Sequence, residues 1–166
     1  MNKKGFTLIE TILTIIVIGI IAGVSGQVLM RGIDAYALIT SRKDALQHAR
    51  VGMDRMVNEL LLVSSATVTS ITDTRIDFRD IDNIVANFRR ANIYGTLDLV
   101  RTNDFLAGQI STLDFDYFKS DGTSAVLPAD MRRINVELTT QPLGGYGTVA
   151  IRTEVFPRNF MYSNFR

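Results

Sequence analysis

Twenty consecutive residues without a charge, TILTIIVIGIIAGVSGQVLM, separate Glu10 from Arg31. As an α-helix rising about 1.5 Å per residue they reach about 30 Å, the thickness of a bilayer's hydrocarbon core. The run is apolar on all sides, and the rest of the chain holds enough Leu, Ile, Val and Phe for a core of its own. A buried helix of a soluble domain is therefore the poorer reading. Lys3 and Lys4 precede the run, so the positive-inside rule leaves the N-terminus in the cytoplasm and exports everything beyond Met30. The stretch AGVSGQ would loosely suit the cleavage site of an ordinary secretory signal.

The residues ahead of the run point elsewhere. KKGFTLIE, residues 3–10, resembles the processing site of type IV prepilins and type II secretion pseudopilins: a short basic leader ending in Gly5, then Phe6, and a glutamate fifth in order from Phe6. The resemblance implies a cut between Gly5 and Phe6 by a membrane-embedded prepilin peptidase, N-methylation of the new Phe6 amine, and retention of the apolar segment. Residues 1–5 would be the leader, 6–30 the transmembrane and filament-core helix, and 31–166 a periplasmic head. The chain would sit in a bacterial inner membrane as a single-pass protein before entering a pilus or pseudopilus. An ionisable side chain near the head of a membrane helix also has a physical reading. It is costly there and functional by default, so Glu10 needs a cationic partner, and the Phe6 amine created by cleavage is the nearest candidate. Glu10 is thus expected to dock subunits. Gly19 and Gly23 have the small-xxx-small spacing that lets helices approach closely.

From residue 31 to about 62 the pattern becomes amphipathic. Ala35, Leu38, Ile39, Leu46, Ala49, Met53, Met56, Val57 and Leu60 form an apolar stripe that only Arg42 interrupts, and no proline occurs before Pro128. One helix is expected, half membrane anchor and half scaffold, with Met53 and Met56 filling a core. Beyond Ser64 the period becomes two. Leu113, Phe115 and Tyr117 alternate with Asp114 and Asp116; Ile134, Val136 and Leu138 alternate with charged or polar neighbours; Val149, Ile151 and Val155 do the same. Further strands are expected near 75–79, 84–88 and 96–100, with turns at 120–122 and 143–145. The fold class is α+β: a long N-terminal helix packed on an antiparallel β-sheet head.

Composition removes much chemistry. No cysteine and a single His48 leave no thiolate or multi-histidine metal site and no cysteine nucleophile. No motif gives His48 a nucleophile and an orienting acid, so the protein is not expected to be an enzyme or to need a cofactor. Asp114, Asp116 and Asp121 with Gly122 depart from the twelve-residue EF-hand spacing and read as a solvated strand face and its turn, although calcium binding by the head stays open. The glycine-rich run at 144–147 has neither the lysine nor the following helix of a phosphate cradle. Eighteen basic residues against seventeen acidic give no field that argues for nucleic acid, and Arg89, Arg90, Arg132 and Arg133 are read as solvated charges.

The C-terminal run EVFPRNFMYSNFR puts Phe160, Tyr162 and Phe165 after Pro157. These aromatics either contact a partner or fold back on the sheet. FPRN, preceded by IDFR, LDFDYF and RINVEL, looks like the heads of J-type and W-type minor pilins and pseudopilins over roughly residues 75–159. The resemblance implies a structural subunit near a filament tip, with other minor and major subunits as partners. Two rivals stay open. One is a major filament subunit, which usually carries a proline where this chain has Gln27. The other is a membrane-anchored, filament-associated binding protein or adhesin.

Overall fold

The computed structural model describes residues 5, 7–64, 66–80, 82–93, 95–142 and 147–160. Helix α1 (Leu8–Leu60) is continuous for 53 residues, as expected of a segment that lacks proline throughout. Among the described residues eight strands follow: β1 (Val68–Thr72), β2 (Arg75–Arg79), β3 (Val85–Asn92), β4 (Leu97–Arg101), β5 (Asp104–Ala107), β6 (Ile110–Phe118), β7 (Arg133–Thr140) and β8 (Val149–Val155). Every pairing is antiparallel, and β1 to β5 form one sheet in chain order while β6, β7 and β8 form a second. The α+β class expected from the sequence is the observed one, with the sheet divided in two.

The chain separates into two compact units, Met1–Thr40 and Ser41–Arg166. In the second, Ala49, Met53, Met56 and Leu60 of α1 join Ile76, Phe78, Phe88 and Leu99 of the first sheet and Leu113, Phe115, Ile134 and Val136 of the second in one buried cluster. The alternation expected for β6 and β7 is present: Leu113, Phe115 and Tyr117 are buried while Asp114 and Asp116 face water, and Ile134, Val136 and Leu138 are buried opposite them. The two sheets are tied where the Phe115 N–H donates to the Asp73 carbonyl at 2.7 Å and the Tyr117 hydroxyl donates to the Thr72 carbonyl at 3.0 Å. Burial first, and then Asp73 and Asp77, push the Tyr117 phenol far above its ordinary value, so it stays a donor.

The helix stripe differs from expectation at its start. Ala35 and Ile39 are exposed and Leu38 is half-buried, and full burial begins with Ala45 and continues through Ala49, Gly52, Met53, Met56 and Leu60. The helix and the sheet approach closely at Gly52. A Cβ on Gly52 would lie 2.9 Å from Ala107 Cβ and 3.0 Å from Leu99 Cδ2, so the helix meets β4 and β5 at a point where only hydrogen fits. Gly52→Val should therefore cost about 1–3 kcal/mol through overpacking, more than the helix propensity gained on losing a glycine, at most about 1 kcal/mol. A thermal melt of the detergent-solubilised chain checks this, and an unchanged midpoint would contradict the close approach.

Two strands escaped the sequence reading. β1 is VTSIT, poor in large apolar residues, and β5 has only four residues, two of them exposed. Each belongs to a hairpin whose turn carries no glycine: Thr72 pairs with Arg75, and Arg101 with Asp104 across Thr102, which takes φ 57°. The expected turn at 120–122 is present, with Gly122 at φ 85° and Asp121 accepting from the Thr123 N–H and hydroxyl at 2.9 and 2.7 Å. It folds Ser124 back onto Phe118 rather than joining β6 directly to β7. The expected turn at 143–145 lies outside the described residues.

Candidate functional site

Helix α1 begins with a pattern the sequence reading passed over. Thr7 and Glu10 have the S/T-x-x-E spacing of a capping box, and Thr7 Oγ1 accepts a hydrogen bond from the Glu10 N–H at 3.4 Å. Thr11 continues the turn by donating to the Thr7 carbonyl from its N–H at 3.2 Å. The Glu10 carboxylate thus stands in the first helical turn, where the macrodipole favours negative charge, with its side chain exposed. Gly5 lies just before this turn. Phe6, the expected N-methylation position, is outside the described residues.

Every large apolar side chain from Leu8 to Met30 keeps at least 45 % of its surface exposed. Each one left in water forgoes about 1.5–3 kcal/mol of burial. The segment therefore requires a shell of lipid or protein that the described residues do not supply. An 18-residue window of the helix has mean hydropathy 2.4, with none of it buried, which fits membrane anchoring. Among the described residues, nothing outside the adjoining turns of the helix lies within 4 Å of a Cβ placed on Gly19 or Gly23, which leaves the small-residue positions uncovered there.

The other end of α1 is held by the C-terminal run. The Arg158 N–H donates to the Leu61 carbonyl at 3.1 Å and Asn159 Nδ2 donates to the Leu62 carbonyl at 2.8 Å. Carbonyls that a helix end leaves unpartnered are thus satisfied from residues about a hundred positions later. Beside them Arg101 bridges Glu59 of α1 at 2.6 Å and Asp80 at 3.0 Å, and Arg55 also reaches Glu59 at 2.6 Å. The Glu59 hydrogen bond is the main reason that the Arg101 guanidinium is held charged more firmly than usual. The Ile84 N–H, ahead of Arg101, holds the Asp80 carboxyl below the usual carboxylate range. Together these side chains line a cleft of about 480 Å³. Its charges neutralise one another, so it reads as a clasp of helix end, β4 and the turn at Asp80.

The remaining sequence candidates are dispersed. His48 is exposed on α1. Among the described residues no three His, Cys, Asp or Glu side chains converge as a metal site would need. Arg133 pairs with Glu154 at 2.9 Å and lies over the Phe118 ring at 4.5 Å, while Arg132 donates to the Ala129 carbonyl at 2.9 Å. Phe160 falls in a short 3-10 turn, Arg158–Phe160; its side chain, Tyr162 and Phe165 lie outside the described residues.

Residues 1–26 match a family described as the prokaryotic N-terminal methylation motif. The chain carries a prepilin-type N-terminus. The match covers the capping turn and most of the apolar run, and it supports a place in the type IV pilin and pseudopilin superfamily, a family of structural rather than catalytic subunits. A prepilin-type N-terminus implies processing by prepilin peptidase and assembly with other pilins. Among curated proteins the chain has no match.

Proposed function

We propose that this protein is a minor pilin or pseudopilin, inserted near the tip or at the initiation of a type II secretion pseudopilus or type IV pilus. The prepilin-type N-terminus carries the reading, and the long exposed apolar helix supports it. In this account residues 1–5 are removed between Gly5 and Phe6, Phe6 is N-methylated, and residues 6–30 stay in the inner membrane, with the N-terminus cytoplasmic and residues 31–166 periplasmic. Glu10 then docks against the Phe6 amine of a neighbour, Gly19 and Gly23 let helices pack, and the aromatic end at Phe160, Tyr162 and Phe165 meets another subunit. Gln27 favours the minor role, since major subunits usually carry a proline at that position, which would alter the shape of the helix. The strand series ending in Pro157, Arg158 and Asn159 favours it as well, because it resembles the heads of J-type and W-type minor subunits.

Mass spectrometry of protein from native membranes should find a mature N-terminus at methylated Phe6, and sheared filaments should contain this chain in few copies. A mature start near Gln27 would replace the account with ordinary secretion. Dominance of this chain in the filaments would make it a major subunit.

A further inference from the structure

Among the described residues the two sheets have four edge strands, and three are blunted. β1, β5 and β6 each pair with their neighbour through a bulge or register irregularity, a device that deters edge-to-edge pairing. β6 is covered besides, because its Phe115 N–H is taken by Asp73 of the first hairpin. β8 has neither protection. Its seven residues run in unbroken register along β7 from Ile134↔Val155 to Thr140↔Val149, without lysine or proline, and among the described residues its backbone bonds to nothing but β7. Val149, Ile151 and Thr153 are only half covered on the core side.

The sense of β8 limits what can fill this edge. A Cβ on Gly147, just before the strand, would lie 2.9 Å from Arg42 Nη2, and the Arg158 N–H, just after it, reaches the Leu61 carbonyl. β8 therefore runs in the same sense as α1. Two copies joined antiparallel through β8 would set their α1 helices in opposite senses, and their apolar segments could not enter one membrane in one orientation. Joined in parallel, the same two edges would set the core face of one strand beside the water face of the other. The first sheet does offer edges of the opposite sense. β4 follows α1 from Leu99 beside Gly52 to Arg101 on Glu59, so β1 and β5 run against the helix. These are bulged strands of only five and four residues, which makes a second copy a poor occupant whichever edge it presents.

We propose that β8 takes, antiparallel, an edge strand from a different subunit that also carries a prepilin-type N-terminus, a strand that runs against that subunit's own membrane helix. Both helices then point the same way, as a shared membrane requires. The contact is heterologous, joining unlike surfaces, which is what a subunit present in few copies needs. Main-chain bonds supply the ladder and alternate side chains the selectivity, as in other strand additions. The incoming strand sets apolar or β-branched residues beside Val149, Ile151 and Thr153, and polar ones beside Ala150, Arg152 and Glu154. An acid belongs opposite Arg152, because opposed unlike charges stabilise a cross-strand pair, while Glu154 is already engaged by Arg133 at 2.9 Å. The inference rests on the pilin reading through the shared membrane.

The full-length chain in native membranes, carrying one photo-reactive residue in place of Ala150, of Glu154 or, as a control, of Ser70 in β1, tests the pairing. All three side chains are exposed, so the fold is not at stake. Positions 150 and 154 should give adducts in several-fold higher yield than position 70, to one protein whose N-terminal peptide is prepilin-type by mass spectrometry. The two positions lie about 13 Å apart along the strand, and an antiparallel partner receives them in reversed order, the adduct of position 150 falling later in its chain. Adducts to a second copy or to a protein without such an N-terminus, equal yields at all three positions, or adducts in the same order along the partner would overturn the pairing. The mature N-terminus of this chain, read in the same samples, separates that failure from failure of the pilin reading. A start at Phe6 without the adducts overturns the pairing alone, whereas a start near Gln27 overturns the reading and the pairing with it.

Discussion

Glu10→Gln should insert into the membrane at the parental level and lose nearly all incorporation beside other subunits, whereas Thr7→Ala should keep it. Glu10 has two available roles, and they predict different things. As the fourth residue of a capping box it supports the first turn of α1, where Thr7 Oγ1 accepts its N–H at 3.4 Å. Such a cap contributes about 1 kcal/mol, and glutamine serves at that position as glutamate does. As a carboxylate facing a neighbour's Phe6 amine it contributes about 4 kcal/mol for unit charges at 4 Å and an effective dielectric of 20, roughly a thousandfold in an assembly equilibrium. Glutamine removes that charge while leaving the cap. Cross-linking yield to neighbouring subunits, measured at equal membrane levels, separates the two. Parental yield from Glu10→Gln together with loss from Thr7→Ala would assign the carboxylate to capping and end the docking role.

The parts of this molecule that were legible in the sequence are those where one physical requirement acts on many residues at once. A bilayer demands about twenty uncharged residues, and residues 11–30 supply them. A half-buried strand demands alternation, and β6, β7 and β8 show it, so their faces were predicted residue by residue. What stayed hidden depends on single contacts between distant segments. Gly52 is buried because β4 and β5 come within 3 Å of where its Cβ would be, and nothing near Gly52 in the chain announces that. Asp98 is wholly buried in β4, with one carboxylate oxygen accepting from the Thr96 hydroxyl at 2.8 Å and the other meeting no donor among the described residues. Its sequence context, LDLVR, reads as an ordinary strand with a solvated acid. At the N-terminus the spacing of Thr7 and Glu10 was a visible signal, hidden behind the more conspicuous motif that contains it.

The clasp at the far end of α1 yields the other large effect. Arg101→Met should destabilise the head by about 2 kcal/mol, less than the roughly 3–5 kcal/mol of a fully buried broken ion pair, because the side chains of Arg101 and Glu59 keep 19 % and 17 % exposure. In a domain of this size that lowers the thermal midpoint by roughly 5–10 °C. Methionine keeps the length and apolar stem of arginine, so the loss reports charge and hydrogen bonds rather than a cavity. Acid gives the second readout. The Asp80 carboxyl is held below its usual range by the Ile84 N–H and then by Arg101. Its stabilisation is therefore complete above the ordinary aspartate value of about 3.9 and vanishes as pH falls through the lowered one. The parent should lose stability steeply in that acid window. Arg101→Met, retaining the Ile84 bond but not the guanidinium, should lose less there while starting from a lower midpoint at neutral pH. Melts of the detergent-solubilised chain across that range test both, and parallel curves offset by a constant would mean that Arg101 acts through packing alone. The same clasp frames the Leu61 and Leu62 carbonyls that receive Arg158 and Asn159. Loosening it should also free the C-terminal run from the helix end, which makes susceptibility to a protease cleaving after Arg158 rise in step with the lost stability.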